Sequence, residues 1–357
     1  MMCRKEAPVL DRITEYQSCL DQPERWAVAT VVAVAGSTPV PVGTSMAVSA
    51  DLEVMGSLSG GCVESATASL AQQSIAEGTP RVESFGPDGD LLGEIPLTCG
   101  GQIRVLIQPL ASMPELQHAR MLSGADPHHA VDFTRTIVLG GETMTVVEHR
   151  EAAPRLLLFG VQDYSLHCAQ LALGAGWRVQ LIDHRPAFAT PQRVPEGAQL
   201  TVDHPADTAA DLLSDPRQSW TAACVMTHLP ELDVPVLDTL LRAEPGPDFI
   251  GALGSHNAQR RRRSALAQRG HSASALGKIH GPLGLDIAAA SPAESAVSIF
   301  AELISAKNSA PSSRQSRSLS TTAGPINYSR TRSASIMHPA RIGAGSARRV
   351  TDLAVSS

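Results

Sequence analysis

Two glycine-rich segments in the first third of the chain each carry a thiol. The first contains Gly60, Gly61 and Cys62, and in the second, Leu97–Gly101, Cys99 stands before two glycines. Glycine permits positive φ angles and a close approach to the backbone. The first segment also opens a predicted helix, whose free amide groups favour anions and whose N-terminus lowers the pKa of a thiol. The pattern indicates a ligand cradle that carries two thiols.

A third glycine turn follows a predicted buried strand and begins at Gly160. The dinucleotide fingerprint G-x-G-x-x-G needs its second glycine so that the backbone can approach a pyrophosphate. Here Gln162 and Ser165 replace the second and third glycines, and Asp163 adds a negative charge. Asp183 lies 23 residues after Gly160, where an acidic residue would hold a ribose or would simply form a turn at a strand end. The altered glycines argue against NAD(P) binding.

Composition excludes several classes of protein. None of the six cysteines is paired at C-x-x-C spacing, which argues against structural zinc, and Cys168 and Cys224 are predicted as small buried residues. No apolar run reaches the roughly 18 residues needed to cross a bilayer, and we expect a cytoplasmic protein without membrane contact. The tail from Ala306 onward carries a charge of +7, which leaves the rest at −13. An acidic body argues against nucleic-acid binding.

The elements that position these turns fall into two predicted domains. We expect an N-terminal α/β domain over 1–110, a connector over 111–153 and a Rossmann-like, parallel-sheet domain over 154–306. In the connector, Thr136–Leu139 and Thr143–Val147 could form a hairpin across Gly140-Gly141, and in the Rossmann-like domain Val236–Ala243 is a predicted helix. Residues 307–357, rich in serine and arginine, are predicted to be a disordered tail. In the first domain, Trp26–Ala35 is apolar at nearly every position, as in a strand covered on both faces. In the second domain, the strand–helix–strand pattern from Leu156 to Ile182 is typical of half a dinucleotide-binding fold.

Taken together, the motifs resemble the xanthine dehydrogenase accessory protein (XdhC/CoxI) family. The matching stretches are Gly36–Pro39, Gly56–Glu64, Leu97–Gly101, Gly176–Val179, Asp183–Pro186, Thr227-His228, Gly251–Ser255 and His280–Ile287. The resemblance runs from about residue 25 to 305 in family order. It implies a maturation factor for molybdenum hydroxylases that binds molybdenum cofactor (molybdopterin), supports its sulfuration and inserts it into the apo-enzyme.

The resemblance also implies which residues contact the cofactor. They are Ser37, Gly60, Gly61, Cys62, Glu64 and Cys99 in the first domain, and Gly160, Asp183, Gly254, Ser255, His280 and Asp286 in the second, with Cys62 as the metal ligand. Alternatives stay open for several of them. Glu64 could orient the pterin or cap its helix, and Cys62 could be a packed thiol. The arginines Arg260–Arg263 could bind a phosphate or form a solvated helix face.

The implied partners are an apo molybdenum hydroxylase of the xanthine dehydrogenase type and a cysteine desulfurase, and a homodimer is left open. We expect an accessory protein rather than a catalyst, although the sequence leaves catalysis open. One alternative is an NAD(P)-dependent oxidoreductase with a Rossmann domain. The other is a protein that has lost cofactor binding and only bridges its partners.

Overall fold

The computed structural model of the 357-residue chain describes residues 9–36, 41–61, 63–86, 101–124, 129–139, 141–214, 219–308 and 334–337. The chain divides into two compact units. The N-terminal unit comprises residues 1–126, 130–150 and 322–357, and the C-terminal unit comprises 127–129 and 151–321. None of the described helices is long and apolar enough to span a bilayer.

The N-terminal unit is built on an antiparallel sheet. Its described strands are β1 (Trp26–Ala35), β2 (Ser45–Ser49), β3 (Val54–Gly56), β4 (Arg81–Phe85) and β5 (Gln102–Pro109), in the order β3-β2-β1-β5-β4. Residues 26–32 of β1 are buried without interruption, which confirms the prediction of a strand covered on both faces.

Helices cover both faces of this sheet. They are α1 (Val9–Arg12), α2 (Gln17–Asp21), α3 (Glu64–Glu77) and α4 (Leu116–Ser123), with short 3₁₀ turns at Pro23–Arg25 and Leu110–Ser112. Alternate residues of β1 point to opposite faces. Ala27, Ala29 and Val31 therefore pack with α3, whereas Trp26 and Val28 pack with α1, α2 and α4.

Residues 111–153, expected to be a connector, contain α4 and a long hairpin of β6 (Val131–Leu139) and β7 (Glu142–Arg150). The hairpin was predicted across Gly140-Gly141, but with shorter strands. Buried and exposed residues alternate along β6, but the buried positions include Arg135 and the exposed ones include Val138, so the apolar alternation in the sequence is weak. Between hairpin and sheet lies a buried ion pair, with Arg135 Nη2 2.6 Å from Glu148 Oε1 and 3.1 Å from Thr30 Oγ1.

The C-terminal unit is a doubly wound α/β fold. Its described strands are β8 (Arg155–Phe159), β9 (Arg178–Ile182), β10 (Gln199–Thr201), β11 (Thr221–Val225), β12 (Phe249–Ala252) and β13 (Ile279–His280). All pairings are parallel, in the order β10-β9-β8-β11-β12-β13. Counted from the first strand of the unit, this is the 3-2-1-4-5-6 order of dinucleotide-binding proteins. The predicted Rossmann-like sheet is confirmed.

Six described helices follow these strands: α5 (Asp163–Gly174), α6 (Pro205–Ser214), α7 (Pro230–Arg242), α8 (His256–Gln268), α9 (Ala273–Leu276) and α10 (Pro292–Asn308). Residues of α5 and α10 pack on one face of the sheet, and residues of α6, α7, α8 and α9 pack on the other. Most of the predicted tail lies outside the described residues. Within it, β14 (Ala334–Met337) pairs antiparallel with β7.

Candidate functional site

All three motif-bearing connections of the N-terminal unit leave the same end of its sheet. Strands β1, β3 and β4 finish at this end, and β2 and β5 begin there. The register shows this through the pairs Ala35 with Gln102, Met46 with Gly56, and Phe85 with Ile103. Neighbouring strands lie about 4.8 Å apart, so the five strands span about 20 Å across the sheet.

The predicted residues Ser37, Cys62 and Cys99 belong to these connections but lie outside the described residues. Their flanks are described. Gly36 follows β1, Gly61 and Val63 stand on either side of Cys62, and Gly101 precedes β5. Strand register places Gly36 and Gly101 at one level, because Ala35 pairs with Gln102. Gly56, where the first glycine turn begins, pairs with Met46 and is therefore level with Ala29, six residues earlier along β1.

Glu64, the first residue of α3, is held inside the turn that precedes it. The described residues between 57 and 63 make seven hydrogen bonds to its carboxylate, all between 2.7 and 3.2 Å. Five donors are the backbone amides of Leu58, Ser59, Gly60, Gly61 and Val63, and the others are the hydroxyls of Ser57 and Ser59. Glycine is needed in this turn because Gly60 and Gly61 have φ angles of 82° and 132°.

The carboxylate of Glu64 binds the turn that precedes α3, and the contact predicted between Glu64 and the pterin stays a prediction. Burial raises its pKa, but hydrogen bonds from the Ser59 amide and from the Ser57 and Ser59 hydroxyls outweigh burial, and the pKa falls from 4.5 to about 2. The carboxylate therefore stays ionised and fills the anion-binding centre of the turn. The amides expected to attract a ligand's anion bind Glu64 instead.

In the C-terminal unit, the Gly160 turn lies where the strand order reverses, between the carboxyl ends of β8 and β11. Its amides are also occupied. Gly160 N donates to Ile182 O at 2.7 Å, and Val161 N donates to the Asp183 carboxylate at 2.8 Å. The next amide, of Gln162, donates to a serine hydroxyl of α5 at 2.9 Å. A pyrophosphate would find no free amide over these three residues.

The side chains of Gln162 and Thr227 also pack the Gly160 turn against the end of β11. The Gln162 amide nitrogen donates to the Met226 carbonyl at the end of β11. Gly160 has φ of 116°, and a Cβ there would lie 2.5 Å from Thr227 Cγ2. Gly160 is therefore required for the close approach of the β11 end, and Gln162 fills the position that a second glycine would leave open.

Asp183 forms a turn at its strand end, one of the two roles expected of it. Its Oδ1 accepts from the Arg185 amide and Nε, both at 2.9 Å, and its Oδ2 accepts from Arg185 Nη2 at 2.7 Å as well as from Val161 N. Burial raises the pKa of Asp183, but the bonds from Arg185 and Val161 outweigh it and the pKa is lowered. The carboxylate is committed to this turn rather than turned toward a ribose.

A cavity of about 10 Å³ lies beside these groups. It is lined by Phe159, Gly160, Asp183, His184, Pro205, Val225, Thr227, Leu232 and Val236. This volume is about that of one water molecule. The cavity beside the Gly160 turn is therefore too small for a nucleotide.

The loop after β12 holds the predicted residues Gly254 and Ser255. Ser255 caps α8, because its hydroxyl accepts from Ala258 N at 3.3 Å. Gly254 lies next to His228 of the neighbouring β11 loop, since a Cβ on Gly254 would lie 3.5 Å from His228 Nδ1. These loops meet at the carboxyl end of the sheet, as the topology predicts.

The arginine run on α8 divides into two kinds of residue. Arg260, Arg261 and Arg263 are exposed, but Arg262 is buried. Arg262 Nε lies 3.0 Å from Asp233 Oδ2, and its other nitrogens donate to the Leu253 and Thr227 carbonyls at 2.7 and 3.0 Å. Arg262 thus ties the β11 and β12 loops together and is not available to a phosphate.

His280 and Asp286 lie at the far edge of the same sheet. His280 Nδ1 is 3.0 Å from Glu302 Oε1, and its ring lies 4.2 Å from that of Phe249. Asp286 is exposed, and its carboxylate accepts from Ala288 N at 3.5 Å. Both roles predicted for these residues remain predictions.

The described cysteines are poor candidates for thiolate chemistry. Cys19, Cys168 and Cys224 are buried and free. Burial raises the pKa of Cys19 to about 11 and of Cys168 to about 12, and it raises that of Cys224 well above 9. Among the described residues, no group of three or more His, Cys, Asp or Glu side chains could hold a metal ion. The predicted metal ligand Cys62 is outside that search.

Fold and site together define a protein of two units. One is built on an antiparallel sheet whose connections contain Cys62 and Cys99 in the sequence, and the other is a Rossmann unit whose glycine turn is filled internally. The chain belongs to the XdhC and CoxI family. A sequence model described as the XdhC and CoxI family matches residues 19–86, and one described as the XdhC Rossmann domain matches residues 156–303. Together they take in more than half of the chain.

Individual relatives extend the match along the chain. A protein of Bacillus subtilis described as a probable xanthine dehydrogenase subunit is 26% identical over 82% of this chain and 96% of its own length. The molybdenum cofactor insertion chaperone PaoD of Escherichia coli is 27% identical over 78% of this chain and 83% of its own length. A crystal structure titled as a xanthine dehydrogenase from Bacillus halodurans shares the fold, with a TM-score of 0.67 and 24% identity over 84% of this chain and 98% of its own.

The sequence did not predict the roles of three residues. The side chain of Gln162 binds the Met226 carbonyl, the buried Arg262 links the loops after β11 and β12, and Arg12 lies beneath the first glycine turn. A signal existed for Arg262 alone. It stands four residues before Leu266, on the apolar face of α8, whereas its three neighbouring arginines do not.

Proposed function

We propose that this chain is an insertion chaperone for molybdenum cofactor that serves a molybdenum hydroxylase of the xanthine dehydrogenase type. The observation that carries the proposal is the similarity to PaoD, a molybdenum cofactor insertion chaperone, over most of both chains. The similarity to the probable xanthine dehydrogenase subunit of Bacillus subtilis supports the class of client. A cysteine desulfurase is the proposed second partner, since sulfuration needs a sulfur donor.

The N-terminal unit fits the cofactor better than the C-terminal unit does. Three connections leave one end of its sheet, and two of them carry Cys62 and Cys99. The described thiols elsewhere are buried and protonated, which makes these two the stronger candidates for contact with a metal. When bound, the cofactor supplies a thiophilic metal centre and an anionic pterin phosphate.

Each predicted residue on these connections of the N-terminal sheet would have one role in holding the cofactor. Cys62 would contact the metal, with Cys99 and Ser37 on the neighbouring connections. Gly60 and Gly61 would let the pterin approach the backbone, and Glu64 would hold the turn in shape. The work of these residues is to hold the cofactor and shield it from water, and no described group is poised to act as a general base for it.

The rival function, an NAD(P)-dependent oxidoreductase, is disfavoured by the Gly160 turn. Its three amides donate to Ile182, Asp183 and Ser165, and Gln162 binds Met226. A pyrophosphate would have to displace all of these. We therefore propose that Gly160 and Asp183 organise the C-terminal unit rather than contact a dinucleotide.

The test is to purify the full chain from cells that make molybdenum cofactor and to measure bound pterin and molybdenum. We expect both in the wild-type chain and a loss of at least about 10-fold in Cys62→Ser. Cys168→Ser is the matched control, because Cys168 is a buried thiol of the other unit and should leave the cofactor content unchanged.

Two results would count against the proposal. No pterin in the wild-type chain, with apo-hydroxylase still co-purifying, would favour a bridging protein. Tight binding of NADH by the purified chain would favour the oxidoreductase. Equal pterin in wild type and Cys62→Ser would keep the carrier role and remove Cys62 from it.

A further inference from the structure

Arg12 is a buried cation with unused hydrogen-bond donors. The residue is 1% exposed. Its Nη1 donates to Glu15 Oε2 at 2.8 Å, while Nε and Nη2 have no partner among the described residues. Buried polar groups in native proteins are almost always paired, because an unpaired donor loses its hydration without compensation. Two free guanidinium donors therefore point to an acceptor that the described part of the chain does not supply.

The position of Arg12 links it to the first glycine turn. A Cβ on Gly56 would lie 3.4 Å from Arg12 Cζ, 3.2 Å from the Tyr16 hydroxyl and 2.9 Å from the Ser45 carbonyl oxygen. Gly56 has φ of 89° and ends β3, directly before the turn that contains Cys62. The absence of a side chain at Gly56 brings the guanidinium against the backbone at the end of β3, directly before the first glycine turn.

The charge balance at this end favours an anion at Arg12. The amides of the turn bind Glu64, so they cannot neutralise a second anion. Glu15, the partner of Arg12, is about half exposed and engages one nitrogen only. The Tyr16 hydroxyl lies 3.1 Å from Ser45 Oγ, and burial raises its pKa, so it remains a neutral group that can also donate.

We propose that Arg12, assisted by the Tyr16 hydroxyl, forms an oxyanion subsite beside Gly56 that takes a phosphate group. The guanidinium fork suits phosphate because two parallel N–H donors match two oxygens. The proposal deepens the proposed function and partly rests on it: within that function, the anion is the phosphate of the pterin. Free inorganic phosphate has the same chemistry, and the experiment separates the two sources.

The first measurement is the thermal unfolding midpoint of the full chain during titration with inorganic phosphate, with chloride holding the ionic strength constant. A ligand that binds only the folded state raises this midpoint. We expect phosphate to stabilise the wild-type chain. Arg12→Met should lose about 10- to 100-fold in phosphate affinity, the range for a charged hydrogen bond. Arg12→Lys keeps the charge without the fork and should show an intermediate loss.

Arg25→Met is the matched control. It removes one arginine and one exposed ion pair, with Asp51, at the opposite end of the same sheet, and it should bind phosphate like wild type. If Arg12→Met does not fold, Arg12→Lys carries the test. Phosphate that leaves wild type unaffected, or that stabilises folded Arg12 variants as strongly as wild type, overturns the subsite.

The second measurement is the pterin content of the Arg12 variants, purified as above. A parallel fall in pterin assigns the subsite to the pterin phosphate, and unchanged pterin with lost phosphate binding assigns it to free phosphate. A wild-type chain without pterin removes the proposed function, while the phosphate titration still decides the subsite.

Discussion

At Glu64 and at Asp183, a carboxylate accepts hydrogen bonds from amides of an adjacent turn. Each turn precedes a helix, where free amides usually favour an anion, although only the turn before Glu64 is rich in glycine. In each case the anion is covalently part of the chain. Glu64 and Asp183, which the sequence suggests as ligand contacts, therefore supply the negative charge that a bound ligand would otherwise bring.

Glu64→Gln should destabilise the chain at pH 7 and lose that effect in acid. The folded pKa of about 2 lies below the ordinary 4.5, so the ionised carboxylate stabilises the fold above about pH 4.5. This contribution disappears as the pH falls from about 4.5 toward 2. Thermal melts of wild type and variant should therefore converge over that range. Glu77→Gln, at the exposed end of α3, is the control, and a difference that persists at pH 2 would contradict the assignment.

Gly160→Ala should cost more stability than Gly270→Ala. Both glycines have positive φ, 116° and 92°, which costs alanine about 1–2 kcal/mol. Only at Gly160 would the new Cβ also meet Thr227, since nothing lies within 4 Å of the Gly270 position. We expect an additional loss of about 1–3 kcal/mol at Gly160 in urea denaturation. Equal losses would show that the β11 end moves away freely.

At the scale of elements, the loops after β11 and β12 are joined through α7 and α8. Arg262 of α8 bonds Asp233 of α7 and the carbonyls of Thr227 and Leu253. The Thr227 hydroxyl donates to the other oxygen of Asp233. A buried ion pair therefore holds together the carboxyl ends of β11 and β12, at the edge of the sheet where doubly wound domains bind their ligands.

Arg262→Met should destabilise the C-terminal unit by about 3–5 kcal/mol, because it leaves the Asp233 carboxylate buried without its partner. Arg261→Met, one residue away and exposed, should change stability by less than about 0.5 kcal/mol. Urea denaturation followed by circular dichroism measures both. Similar effects of the two substitutions would refute the distinction between buried and solvated arginines on this helix.

Sequence patterns predicted elements best where the signal is local and continuous. Trp26–Ala35 is apolar at nearly every position and Leu156–Phe159 is a short, uninterrupted apolar run, and both lie in strands. Helix α7 begins at Pro230 rather than at the predicted Val236, although a proline followed by acidic residues in the first turn is a helix-start signal. The strands of the hairpin of β6 and β7 were predicted too short, because buried positions alternate with exposed ones along β6 and one of the buried residues is the charged Arg135.

The candidate site was harder to predict than the fold, since its contacts join residues far apart in sequence. Gln162 reaches Met226 across 64 positions, and Arg12 meets Gly56 across more than 40. Nothing local to either residue predicts these contacts. The glycine pattern correctly indicated that the Gly160 turn had changed, but only the fold shows which group fills it.

At the scale of the whole molecule, each unit has its own hydrophobic core. The sheet of the C-terminal unit is covered on both faces by helices of the same unit, with Leu158 in one core and Leu157 in the other. A unit with its own hydrophobic core meets the requirement for folding as an independent domain.

A fragment of residues 151–308 should therefore fold by itself. We expect far-UV circular dichroism of a mixed α/β protein and a single cooperative thermal transition. Trp177, which packs against Trp220 and Phe300, provides a fluorescence probe of the same event. A broad transition without a fluorescence change would argue against a separate domain.

The carboxylate inside the first glycine turn also has a consequence for selectivity. A turn with open amides would be occupied by whichever phosphate ester is abundant around it. Because Glu64 is tethered to the turn, its effective concentration there exceeds that of any dissolved ester. The turn that Glu64 fills is thereby insensitive to dissolved phosphate esters, and any competition between anions is confined to groups outside it.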